Sequence, residues 1–156
     1  MAKEKKPSGK AGKPPPRCKA ILLCDQLIVD AQTGKVSVIG VFDGFVVPTM
    51  PGRTRPSNAF LQLTDGIGNY SITVEIHDLL EDRVIARAKL AEIGFASRAT
   101  KGNLVIPVPP LPIDHVGVYD FVVLADGQEI DRQQFTTKLI GNDDNAEEEN
   151  QPNEGP

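Results

Sequence analysis

The sequence predicts an all-β domain, an antiparallel β-sandwich of about seven to eight strands, on three observations. Residues 117–135, GVYDFVVLADGQEIDRQQF, read as a hairpin. In it Tyr119, Phe121 and Val123 take every second position, and Asp126 with Gly127 supplies the positive-φ residues of a tight turn. Residues 70–77 alternate most cleanly: Tyr70, Ile72, Val74 and Ile76 share one face, Ser71, Thr73, Glu75 and His77 the wet one. Turn signals separate such runs throughout, and no long amphipathic helical pattern intervenes.

The domain is expected over residues 19–140. A first strand covers 19–29, and 30–35 turn the chain with Gly34 at the left-handed position. Residues 36–47 form a second strand in which Val36, Val38, Gly40 and Phe42 alternate with Ser37, Ile39, Val41 and Asp43. Apolar side chains thus fall on both faces, and Gly40 and Gly44 break the pattern, which predicts a bent, bulged strand. Residues 48–57, with three prolines and Arg53 and Arg55, cross between elements as a loop. A third strand covers 59–64, two glycines loosen 65–69, and the clean strand 70–77 follows.

Residues 83–90 return the chain, with Val84, Ala86, Ala88 and Leu90 inward and Arg87 and Lys89 outward, and 93–95 extend that strand. The composition of 79–90 also suits a helix, but the period of two and the missing cap favour a strand. Residues 104–108 are a short strand stopped by Pro107, Pro109, Pro110 and Pro112, which places it at a sheet edge where a missing donor does no harm. In the closing hairpin Ile130 and Phe135 sit an odd number apart, so a one-residue bulge is needed to bring both into the core.

Charge is unevenly placed. Residues 1–19 hold seven basic side chains against Glu4, and 141–156 hold six acids and no base. The formal net charge of −4 therefore belongs to the middle of the chain. Residues 1–18 and 141–156 lack periodic apolar positions and are expected to be disordered, since they bury too little to offset ordering entropy. A mildly acidic globule has no electrostatic footprint for nucleic acid, which leaves only a weak contact through the basic tail. The apolar block 20–24 is too short for a signal core, and no stretch reaches the ~20 apolar residues of a membrane span. A cytoplasmic protein without membrane contact is expected. Cys18 and Cys24 on one extended strand lie about 20 Å apart, too far for a disulfide, and are expected as free thiols.

The stretch from Asp114 to Tyr119, DHVGVY, has the form of a tyrosine corner, in which the Tyr119 hydroxyl returns to upstream backbone, as in immunoglobulin-like sandwiches. Together with Cys24-Asp25-Gln26, the turn DAQTGKVS (30–37), GVFD (40–43) and the closing GVYDF, Asp126-Gly127 and Phe135, it gives residues 20–138 a resemblance to a family of small, functionally uncharacterised bacterial sandwich proteins. The resemblance implies bacterial origin and an all-β fold. It implies no activity, cofactor or site residue.

Chemistry is sparse. His77 and His115 lie on separate elements, and neither spacing pairs with Cys18 or Cys24 as a zinc site requires. Ser71, His77 and Asp78 do not make a triad, because adjacent strand residues point to opposite faces and no nucleophile elbow exists. Gly66 and Gly68 precede a strand rather than a helix, so they form no phosphate loop. The candidate metal ligands are Asp25, Asp30 and Asp43 around the first hairpin, with Asp25 and Asp43 able to approach in some registers. Against that stands the use of such acids at strand edges and turns. Tyr70, Phe45 and Phe60 are the candidate exposed aromatics for carbohydrate. Structural roles fall to Tyr119, Gly34 and Gly127. The expectation is a non-enzymatic module without cofactor that contacts a protein partner, or itself, through an edge strand. The alternative is a module binding Ca²⁺ or carbohydrate through its loops.

Overall fold

Strand follows strand because short alternating runs are cut by residues that tolerate positive φ. A computed structural model describes residues 13–141. In chain order the strands are β1 (Arg17–Val29), β2 (Val36–Phe42), β3 (Gly44–Val47), β4 (Gly52–Arg53), β5 (Ser57–Thr64) and β6 (Gly68–Asp78). They continue as β7 (Arg83–Phe95), β8 (Gly102–Val108), β9 (Pro112–Ile113), β10 (Gly117–Ala125) and β11 (Gln128–Leu139). No helix occurs among the described residues. One sheet runs β2-β1-β5-β8, a second runs β3-β11-β10-β6-β7, and β4 pairs β9 in a small third sheet. All pairings are antiparallel except β3 with β11.

Both large sheets feed one core. Ile21, Leu23, Ala59, Leu61, Leu63 and Ile106 come from the first sheet, and Phe45, Tyr70, Ile72, Phe121, Val123 and Phe135 from the second. Each such large side chain contributes about 1.5–3 kcal/mol on burial. The turns follow the expected chemistry: Gly34 has φ 68°, while Asp126 and Gly127 have φ 48° and 81° in the β10–β11 turn.

Four details depart from the sequence reading. The strand expected over 36–47 breaks at Asp43 into β2 and β3, which belong to different sheets. Gly44 allows this, because the Thr136 side chain of the parallel partner stands 2.8 Å from where its Cβ would be. Val84 does not face inward: a bulge at Ile85 puts it opposite His77, and Ile85 packs on the core instead. Ala88 is exposed beside the open mouth between β7 and β8. Order also begins earlier than residue 19. Arg17 and Cys18 pair with β5, Pro16 is buried, and the Tyr70 hydroxyl donates to the Pro14 carbonyl at 2.7 Å. The rest of the two expected tails, residues 1–12 and 142–156, lies outside the described residues.

The bulge required in the last strand is present: Val123 faces Asp131 and Leu124 faces Glu129, so Ile130 is the extra residue. Phe135 is buried and Ile130 packs against the core. The proline-rich strand β8 is an edge, as expected. The loop 48–57 is stitched to the β8–β10 connection, where Thr54 N–H donates to the Leu111 carbonyl at 3.0 Å and Leu111 N–H to the Thr54 hydroxyl at 2.9 Å.

Candidate functional site

The three candidate aspartates do different things. Asp30 builds its turn: one carboxylate oxygen accepts the backbone N–H groups of Gln32 and Thr33, both at 2.8 Å, and its carbonyl accepts that of Gly34 at 2.8 Å. Those N–H bonds hold its carboxyl below the usual range. Asp25 leaves the first sheet to pair with Arg55. Its carboxylate crosses Gly40, whose missing side chain and φ of 69° make the room. The Arg55 guanidinium in turn lies 4.5 Å from the Phe42 ring centre and 5.7 Å from Phe45. Asp43 gives its carbonyl to the Thr136 N–H at 2.9 Å and leaves its carboxylate exposed. No group of three or more His, Cys, Asp or Glu suited to a metal ion forms among the described residues. The candidate aromatics fare likewise. Tyr70 and Phe45 are buried in the core and Phe60 is half-buried, so they do not form an exposed stacking platform.

A polar cluster that sequence reasoning missed forms where β6 ends and β10 begins. Asp78, 1% exposed, accepts a hydrogen bond at 2.7 Å from His115 Nε2, and its other oxygen accepts the N–H groups of Leu80 and Glu81 at 3.0 and 3.2 Å. Burial opposes its charge, but His115 and those amides outweigh it and hold the carboxyl below its ordinary value. His115 donates through Nδ1 to the Val116 carbonyl at 3.0 Å. That bond and then Asp78 raise its pKa. The Tyr119 hydroxyl donates to the His115 carbonyl at 2.9 Å, and Thr137 donates to the same oxygen at 3.2 Å. The His115 and Tyr119 rings stack at 5.5 Å, and Tyr119 stacks on Phe135 at 5.6 Å. His115, Tyr119 and Thr137 lock the entry to β10, and the second Asp78 oxygen holds the β6–β7 turn. The signal in the sequence was the tyrosine-corner stretch itself, with Asp78 supplied by a strand far from it.

The two thiols are free. Burial pushes Cys18 up to about 11 and raises Cys24 as well, which disfavours the reactive thiolate in both.

The surface that stands out is the far end of the β1–β2 hairpin. β5 pairs with β1 only as far as Cys24, so residues 26–29 of β1 are paired with β2 alone as a two-stranded ribbon beyond the sheet. Leu27, Val29, Val36 and Val38 share one face of the ribbon, and Ile28, Ile39 and Val41 share the other. Ile28, Val29, Ile39 and Val41 are between 45% and 58% exposed. A sheet that meets water normally turns a polar face to it. Here both faces carry exposed apolar side chains, with Gln26 and Ser37 as the polar residues beside Ile28 and Ile39.

The strand edges are guarded unequally. β8 carries Pro107 and runs into Pro109 and Pro110, β7 carries Arg83, Arg87, Lys89 and Glu92, and β3 has only four residues. β2, VSVIGVF, has no charge and no proline. Asp30 N–H donates to the Lys35 carbonyl at 2.9 Å, so in the alternating antiparallel ladder residues 35, 37, 39 and 41 bond to β1. The backbone groups of Val36, Val38 and Phe42 therefore point away from it.

Comparison with known proteins adds a family and no activity. No curated protein matches the chain. Residues 19–138 match the model of a family of unknown function, DUF6941, and that span runs from the body of β1 to all but the last residue of β11. The chain belongs to this family of unknown function.

Proposed function

We propose that this chain is a non-enzymatic β-sandwich module of immunoglobulin-like type that acts by protein–protein contact, through strand addition at β2. The sandwich reading is supported by a four-stranded and a five-stranded sheet sharing one core, and by the Tyr119 hydroxyl returning to the His115 carbonyl. The observation that carries the function is the unguarded edge of β2 on a ribbon that exposes Ile28, Val29, Ile39 and Val41. An added strand satisfies the outward backbone groups of Val36, Val38 and Phe42, while its alternate side chains cover Ile39 and Val41. Asp30 is engaged in its turn and Asp25 with Arg55, which leaves Asp43 as a single carboxylate and favours this reading over a Ca²⁺ or carbohydrate module.

Affinity capture from host extract, run in parallel with the wild-type chain and an Ile39→Lys/Val41→Glu variant, tests it. The variant should melt within about 2 °C of wild type, because both side chains are exposed. It should lose proteins, or additional copies of the chain, that the wild type retains. Identical capture by the two chains sinks the reading.

A further inference from the structure

We propose that the strand received by β2 is β2 of a second copy, paired antiparallel about a twofold axis at Ile39. This rests on the strand-addition reading and specifies its partner. A twofold at Ile39 places Val38 opposite Gly40, Val36 opposite Phe42, Ser37 opposite Val41 and Lys35 opposite Asp43 of the second copy. Most of the pairings are complementary. Val38 meets Gly40, which has no side chain of its own and is covered by the Asp25 carboxylate, and the small Ser37 meets Val41. Ile39 meets Ile39, covering the exposed apolar side chain at the centre.

The ends supply the charge match. Lys35 and Asp43 flank β2, are exposed, and have no ion-pair partner among the described residues. The twofold brings Lys35 to Asp43 twice, once at each end, and strand β2 between them carries no charge to oppose the approach. A register slipped by two residues loses both pairs.

The hydrogen-bond phase agrees with the register. The outward groups belong to even-numbered residues, so Val36/Phe42 becomes the hydrogen-bonded pair at each end, with Val38/Gly40 in the same phase. The left-handed Gly40 turns its own peptide, so the Val36/Phe42 pairs at the two ends carry the ladder and side-chain contact carries the middle. Ile39/Ile39 is then a non-hydrogen-bonded pair, the type with the closest side chains.

Two measurements test this on the full chain. In an Ile39→Cys variant, mild oxidation should give a disulfide-linked dimer on a non-reducing gel, against wild type and Ile28→Cys as controls. In sedimentation equilibrium, Lys35→Glu and Asp43→Lys should each weaken dimerisation about tenfold. The double variant, which restores both pairs with reversed sign, should recover most of that loss. A wild-type chain that stays monomeric to about 0.5 mM overturns the second-copy proposal, as does cross-linking no greater than in the controls. If the wild type is monomeric while Ile39→Lys/Val41→Glu still abolishes capture of another protein, the second copy is wrong and strand addition at β2 stands.

Discussion

Tyr119 shows how one residue's environment sets a measurable property. Its hydroxyl is buried and donates to a carbonyl that also accepts from Thr137, so Tyr119→Phe removes one of two bonds and leaves the oxygen satisfied. The expected loss is about 1 kcal/mol, read as a shift in the urea midpoint with unchanged slope. Its neighbour His115 makes stability depend on pH. Its pKa is raised by the Val116 carbonyl and by Asp78, so the folded state binds its proton more tightly than the unfolded one. That contribution is complete below the ordinary histidine value of about 6.5 and is lost as the pH rises through the raised folded value. Asp78 is shifted the other way, so its contribution holds above the ordinary carboxylate range and fades only in acid, through its lowered folded value. The urea midpoint should therefore decline from pH 6 to pH 8 in the wild type, and a His115→Gln variant should flatten that decline. An equal decline in both would assign the pH dependence to other groups. The Tyr119 bond was legible in the sequence because its acceptor lies four residues upstream. The Asp78 bond was not, because the β6–β10 register that delivers the carboxylate is a long-range fact.

At the scale of elements, alternation located nearly every strand but did not reveal where a strand changes partner. Gly40 and Gly44 marked the second strand as broken, yet its transfer to the other sheet depends on the parallel pairing with Thr136–Leu139. In β7 the bulge at Ile85 is hidden, because Val84 and Ala86 still alternate in sequence while falling on opposite sides of the sheet. Charge at the hairpin base was half legible: Arg55 was visible in its loop and Asp25 in its strand, but not the space over Gly40 that lets them meet. That space gives a prediction for the hairpin. A side chain at Gly40 collides with the Asp25 carboxylate and must also adopt a φ of 69°, which a β-branched residue strongly resists. Gly40→Val should destabilise by about 2–3 kcal/mol. Asp25→Ala should cost under about 1 kcal/mol, as an exposed ion pair does. Equal losses in the two variants would mean that the backbone conformation at Gly40 matters less than the pair it accommodates.

The whole molecule is held by a core that two sheets share, and its lower end is closed by residues that neither alternation nor the family match includes. The family span begins at residue 19, and composition alone assigned everything before it to a charged tail. Packing moves that boundary. Tyr70, buried in the core, has its ring capped by Lys13 at 3.8 Å, while its hydroxyl accepts the Ile67 N–H at 3.0 Å and donates to Pro14. Lys13 also donates to the Asn69 carbonyl and pairs with Asp126 at 3.4 Å, and Pro16 is buried. Four residues of apparently tail-like composition thus cover one end of the β6 and β10 strands. Removing them leaves the Tyr70 hydroxyl without its acceptor and uncovers its ring, a loss of about 1–3 kcal/mol. For a domain of this size that corresponds to a fall in Tm of about 3–8 °C. A chain starting at Arg17 should melt that far below one starting at Lys13, and Tyr70→Phe should narrow the gap by removing the hydroxyl's share of it. A gap under about 1 °C would return residues 13–16 to the tail and leave the domain beginning where the family match does.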